Sequence, residues 1–309
     1  MATTFRPCKA PSKGIPDSFL PKLKFPLYVS PKYDGFRILN RGGKAVTSSL
    51  KPVNNLHSNK LISHPALIGF DQELVVGDGA SATGFSKATS AVQAREGVYD
   101  IILQAFDLQD IPHEIPFKER YAELKRRIEN CNLPYVRLVP HELINNINEL
   151  LEYEKDILQR GFEGAMLRSP MGRYKWDRST LNEQILLKLK RGHEKRDDAV
   201  VVGFSEQMQN NNPPYINERG LQQRASNKEF MVPKNTLGAF LVRDEDGREF
   251  SVGGGIEGTM DDAFRKSVWE NKEAWLGVTI RYQWFDYGGY TLPRFPKYVG
   301  KRAPEDITT

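Results

Sequence analysis

Very little in this 309-residue chain could cross-link it or hold a soft metal. The only two cysteines, Cys8 and Cys131, are far apart and form no Cys-x-x-Cys pair, which excludes a disulfide framework and a thiolate metal site. A reducing cytoplasm is the expected compartment. The five histidines, His57, His64, His113, His141 and His193, show no ligand spacing, so zinc is not expected. No apolar run is long enough to span a bilayer, and the first sixteen residues are too polar and proline-rich for a signal or transit peptide. Internal repeats and low-complexity tracts are also missing. The net charge of +5 and pI near 9.0 point toward polyanionic partners, provided the small surplus is concentrated on one face.

What is present centres on Lys32-Tyr33-Asp34-Gly35-Phe36-Arg37. The lysine follows a short apolar run, a carboxylate lies two residues on, and a glycine stands where a backbone must approach something closely. This pattern suits a nucleophilic amine. An amine attacks phosphorus only when neutral, and at an ordinary pKa about one lysine in a thousand is neutral near pH 7.4. Desolvation or nearby cations are therefore expected to lower the Lys32 pKa, and Gly35 is expected to leave room for a phosphate or a ring. A surface turn would also use Asp-Gly, so the rest of the chain must decide.

The chain read in order supplies more candidates. Leu27 to Lys32 and Phe36 to Leu39 read as strands, with a hairpin turn at Arg41 to Lys44 and a polar loop from Val46 to Asn55. Glu73 is a carboxylate inside the apolar strand Phe70 to Val76. Gly77 to Ser86 reads as a loop and Lys87 to Arg95 as a helix. Tyr99 to Leu108 is a buried strand ending in Phe106-Asp107. Pro116 opens a helix with Phe117, Tyr121, Leu124 and Ile128 on one face, and Asn146 with Glu149 caps a second that stops at Gly161. Glu163 then lies between two glycines at the head of a strand. Leu186 to Lys190 alternates, so Lys188 and Lys190 share one face.

The composition changes at Arg191 to Asp198, read as a linker between a domain of residues 1–192 and a domain of residues 193–309. Beyond it come short strands at Ala199 to Phe204, Gly238 to Arg243, Glu249 to Val252 and Val278 to Trp284. One helix capped by Thr259 accompanies them, and Gln207 to Lys234 forms a polar insertion. Strands, one helix and no βαβ alternation predict a five-stranded barrel of the kind that binds oligonucleotides.

The ordered set Lys32-x-Asp34-Gly35-x-Arg37, Glu73, Phe106-Asp107, Glu163-Gly164 and Lys188-x-Lys190 resembles the covalent nucleotidyltransferases: DNA ligases, RNA ligases and messenger RNA capping enzymes. Similarity to small phage-type ATP-dependent DNA ligases is closer. It extends through Ser90-Ala91-Val92, Arg173-Tyr174-Lys175, Phe250-x-Val252-Gly253-x-Gly255 and Pro293-Arg294-Phe295-Pro296-Lys297. The resemblance implies an α+β adenylation (nucleotidyltransferase) domain of antiparallel sheets with flanking helices, followed by an OB-fold barrel. It also implies ATP as AMP donor, Mg²⁺ or Mn²⁺ as metal, nicked double-stranded DNA as partner, and a cytoplasmic monomer.

By that resemblance Lys32 takes AMP from ATP, and Lys188 and Lys190 hold the α-phosphate. Ser30, Arg37, Glu73, Phe106 and Glu163 contact the nucleotide, with Glu73 and Glu163 serving the metal. Arg294 and Lys297 orient the pyrophosphate. Many relatives carry arginine where this chain has Ser48, a position expected to contact the nick phosphate or the ribose, so either a neighbour such as Arg41 or Lys51 substitutes or the DNA step is weaker here. The insertion residues Arg219, Arg224 and Lys228, together with the Gly77 to Ser86 loop, are expected to contact duplex DNA. Two alternatives stay open: an RNA ligase or GTP-using capping-type enzyme, and a non-catalytic nucleic-acid-binding module.

Overall fold

The computed structural model describes residues 5–77, 84–191, 194–256, 258–285 and 291–302. The chain divides into two compact units, residues 1–192 with 218–220, and residues 193–217 with 221–309.

Among the described residues the first unit holds two mainly antiparallel sheets and four α-helices. One sheet has the order β7-β1-β8-β9, from β1 (Leu27–Pro31), β7 (Glu142–Ile144), β8 (Ala165–Arg168) and β9 (Leu186–Leu189). The other has the order β3-β2-β4-β5-β6, from β2 (Phe36–Arg41), β3 (Lys44–Thr47), β4 (Phe70–Val76), β5 (Ile101–Leu108) and β6 (Val136–Leu138), the last pairing parallel with β5. Each sheet buries its own core. Val29, Leu167, Leu187 and Leu189 anchor the first, and Ile38, Leu74, Leu103 and Leu124 anchor the second. The helices are α1 (Leu56–Ile62), α2 (Gly84–Gln93), α3 (Phe117–Cys131) and α4 (Ile147–Gln159). As expected from its sequence, α4 starts at Asn146, whose side chain accepts from the Glu149 N–H while Glu149 accepts from the Asn145 N–H. The segment Lys32 to Gly35 leaves the first sheet at the end of β1 and enters the second at β2, so the lysine stands at the crossing between them.

Gly35 does not open space for a ligand, contrary to expectation. A Cβ on it would lie 2.4 Å from the Leu74 carbonyl oxygen and 2.9 Å from both Glu73 Cγ and Val75 Cγ1. Glycine is required there because β4 crosses directly against it.

The second unit is a sheet of order β14-β13-β10-β16-β17-β15, built from β10 (Glu194–Asn210), β13 (Met231–Arg243), β14 (Glu249–Val252), β15 (Gly254–Gly255), β16 (Thr279–Phe285) and β17 (Arg294–Lys301). Its two outermost strands, β14 and β15, are separated by a single residue in the chain, so the sheet must curl until its edges meet. Among the described residues the four expected strands and β17 make five, and the sixth, β15, is a two-residue piece that follows β14 after Gly253.

Three further expectations change here. The segment read as a linker is already strand from Glu194, paired along β16 from Glu194↔Phe285 to Val200↔Thr279. The insertion is largely ordered, since β10 runs to Asn210, β13 begins at Met231, and a hairpin of β11 (Pro214–Ile216) and β12 (Gln222–Arg224) lies between. Helix α5 (Asp262–Glu270) is capped by Asp261, which accepts from the Phe264 N–H, whereas the Thr259 hydroxyl bonds the carbonyls of Ile256 and Tyr298.

Candidate active site

A cavity of about 310 Å³ opens in the first unit, at the lower end of the size range of small-molecule pockets. One wall is a row across the first sheet. Register places Ser30 opposite Met166, and Met166 opposite Lys188, so all three present the same face to the cavity. Lys32, two residues past Ser30, extends that face. Its N–H donates to the Gly164 carbonyl (2.7 Å) and its carbonyl accepts from the Glu163 N–H (3.2 Å), which sets Glu163 beside it.

The Lys32 and Lys190 ammoniums each pair with one oxygen of the Glu163 carboxylate. Burial alone would raise the Glu163 pKa, but the two ammoniums outweigh it and hold the carboxyl at about 2. Lys32 responds in the opposite sense to the expectation. Burial favours the neutral amine, yet Glu163 and then Glu73 outweigh it and raise the pKa above the ordinary lysine value. The resting protein therefore keeps Lys32 protonated. Lys188 does have a lowered pKa, about 8, through burial and the charges of Lys190 and Lys32, and its Nζ donates to the Ser12 carbonyl (2.6 Å).

The facing wall comes from the second sheet. Arg37 lies opposite Glu73 in the β2–β4 ladder. Burial dominates at Glu73 and lifts its pKa to about 7 against the pull of Lys32 and Arg37. In the β4–β5 ladder Asp71 faces Asp107, but the next pair is Gln72 and Ala105, so Phe106 is the extra residue of a bulge. That irregularity sets the Phe106 ring in the cavity wall, with the guanidiniums of Arg37 (5.3 Å) and Arg168 (5.2 Å) close to it.

Behind this wall lies a buried charge network that the sequence reading did not identify. Asp71 accepts from Arg37 Nε (2.8 Å) and Nη2 (2.5 Å) and from the Tyr174 hydroxyl (2.6 Å). Asp107 accepts from Arg120 Nε (2.8 Å) and Nη2 (3.1 Å) and from Arg168 Nη1 (2.8 Å). Arg37 also donates Nη1 to the Cys8 carbonyl (2.6 Å), so it is a clamped residue and not a free phosphate donor. Arg120 was detectable, because it stands on the apolar stripe of α3 with Phe117, Tyr121 and Leu124. An arginine there needs a buried acid.

The remaining expected residues scatter. Lys190 pairs with Glu163 without lining the cavity, Ser48 lines it as its loop position led one to expect, and Lys9 and Arg178 line it unforeseen. Arg41 packs on the Phe5 ring at 3.6 Å and Lys51 is exposed, so neither lines the cavity beside Ser48. Arg219, Arg224 and Lys228 belong to the hairpin region, where the Arg224 guanidinium donates to the Asn212 carbonyl. Arg294 and Lys297 lie on β17 of the second unit, with Lys297 exposed. Most of the Gly77 to Ser86 loop lies outside the described residues.

Two sheets enclosing a lysine-centred cationic cavity, followed by a curled six-stranded sheet, define an adenylation domain with an OB-like domain. Residues 8–190 match the ATP dependent DNA ligase domain, and residues 231–302 match the DNA ligase OB-like domain. The chain belongs to the ATP-dependent DNA ligases. A crystal structure of Chlorella virus DNA ligase-adenylate is similar at 29% identity, covering 99% of this chain and 100% of that one, with a TM-score of 0.54. A Lig E DNA ligase shares the fold at 18% identity, covering 98% and 100%, with a TM-score of 0.67. No curated protein matches the sequence. Among the described residues no helix is long and apolar enough to cross a membrane.

Proposed function

We propose that this ligase seals nicks in duplex DNA with Lys32 as its nucleophile. The observation that carries the reading is Lys32 at the sheet crossing, paired with Glu163 and facing Glu73 and Phe106 across a nucleotide-sized cavity. Once its ammonium has lost a proton to solvent, Lys32 Nζ would bond to the α-phosphorus of ATP as the bond to the pyrophosphate oxygen breaks, and a second proton would leave the nitrogen for solvent. Lys188 and Lys190 would stabilise charge on the phosphate oxygens, Phe106 would stack on the adenine, and Ser30 would sit beside it. The AMP would pass to a 5′-phosphate, and the adjacent 3′-hydroxyl would displace it.

The acids fit a hard divalent cation. Among the described residues no cluster of three or more metal-ligating side chains exists, so Glu73 and Glu163 would supply one or two carboxylates and substrate phosphates the remainder. When bound, Mg²⁺ or Mn²⁺ supplies positive charge to the phosphate oxygens. Arg37 acts through Asp71 and Phe106 as a positioning residue. Arg294 and Lys297 would orient the pyrophosphate, which confines them to the first step, and Arg219, Arg224 and Lys228 would contact DNA backbone. We take the enzyme to work as a cytoplasmic monomer.

Incubation with labelled ATP or GTP tests the reading. Label from ATP should survive denaturation of the wild type and be absent from Lys32→Ala, and nicked duplex DNA should be sealed by the wild type alone. Label from GTP only, or sealing of nicked RNA only, would transfer the assignment to a capping-type enzyme or RNA ligase.

A further inference from the structure

The cavity wall carries more cations than one adenylate phosphate requires. Lys9, Lys32, Arg37, Arg168, Arg178 and Lys188 line it, against the single carboxylate Glu73. Most of these cations are already engaged. Lys32 is matched by Glu163, Arg37 by Asp71 and Arg168 by Asp107, while Lys188 and Arg178 donate to the carbonyls of Ser12 and Ala10. The Lys9 amine has no hydrogen-bond or ion-pair partner among the described residues. Asp177, the carboxylate that acts on it most, is itself paired with Arg6 at 3.0 Å. Burial first, and then the charges of Arg219, Arg37 and Arg178, lower the Lys9 pKa to about 8. Such an amine is stabilised by a bound anion.

The backbone holds Lys9 in place. Its N–H donates to the Asp177 carbonyl (3.0 Å) and its carbonyl accepts from the Ser179 N–H (2.7 Å), which forms a parallel bridge with Arg178. Lys9 and Arg178 are thereby fixed side by side. Lys190, Lys32 and Arg178 act on the Lys188 amine, whereas Arg219, Arg37 and Arg178 act on Lys9. Arg178 is thus a common neighbour of Lys9 and Lys188 in the wall of one cavity, which Lys32 also lines.

Adenylate transfer needs two phosphates in contact, because its product is a P–O–P linkage. We propose that Lys9 binds the 5′-phosphate of the DNA strand during transfer of AMP from Lys32. An oxygen of that phosphate bonds to the adenylate phosphorus, the P–N bond breaks, and its electron pair returns to Lys32 Nζ, which takes up a proton. Lys9 supplies the charge that the hydroxyl of Ser48, in the same wall, does not.

This inference rests on the lysyl-AMP reading and is tested with pre-adenylated enzyme mixed with 5′-labelled nicked duplex in a single turnover. Lys9→Met keeps the aliphatic stem and the backbone bridge. It should slow DNA-adenylate formation at least ten-fold more than it slows self-adenylation, and Lys9→Arg should retain most of the transfer rate. Adding Ser48→Arg to Lys9→Met should recover part of the loss. Equal slowing of both steps, or no slowing of either, would overturn the assignment. A wild type that takes no label from ATP overturns the underlying reading and this inference with it.

Discussion

Lys32 in the resting protein is an ammonium held by a carboxylate, not a desolvated free amine. Its cross-strand neighbour Glu163 explains this, since two opposite charges side by side and partly out of water stabilise the charged form of each. Gly35, three residues on, is demanded by packing. Gly35→Ala forces a Cβ against the Leu74 carbonyl, an overpacking expected to cost about 1–3 kcal/mol. Thermal unfolding should show a lowered midpoint with DNA present or absent. An unchanged midpoint together with weakened ATP labelling would return Gly35 to a ligand-facing role.

At the scale of elements, the bulge in β5 and the apolar stripe of α3 together hold the cavity wall. The bulge brings Phe106 into the wall, and the Asp107 beside it anchors Arg120 and Arg168. Removing Asp107 would strand two buried guanidiniums, which is why neither residue is a neutral substitution site. The β11–β12 hairpin carries basic residues with exposed Tyr215 and Ile216. Replacing residues 211–229 with a short turn should weaken binding to nicked duplex and flatten its salt dependence while self-adenylation continues. Unchanged affinity across a salt series would remove the hairpin from the DNA interface.

At the scale of the molecule, His141 couples stability to pH. Burial, then the charge of Arg168, lower its pKa to about 3, among the rings of Tyr28, Phe117 and Tyr121. Its unfolded value is near ~6.5, so between these values the unfolded chain binds the extra proton and acid favours unfolding. The contribution is fully present above pH 6.5 and is lost as pH falls toward 3, at no more than about 1.4 kcal/mol per unit. His141→Phe should flatten the acid limb of a denaturant-stability profile relative to wild type. Superimposable slopes would exclude this coupling.

Local order and spacing were enough to indicate the class of chemistry, because a nucleophilic lysine, flanking acids and paired lysines are each read within a few residues. The same holds for helices α3 and α4, whose stripe and cap are local signals. The composition break near Arg191 was visible, but from Glu194 onward the segment read as linker is strand. Charged residues such as Asp197 and Asp198 can belong to a strand when Trp284, Arg281 and Arg302 bond to them from other parts of the chain.

Only the tertiary structure decided which charges meet. Asp71 with Arg37 and Asp107 with Arg120 and Arg168 depend on register between strands and on a helix packed behind them. The Lys9 bridge joins residues almost the whole first unit apart. Sequence shows which residues can ionise; whether each is paired, clamped or left with an unmatched charge depends on distances that only folding sets, and at close range those distances determine the electrostatics.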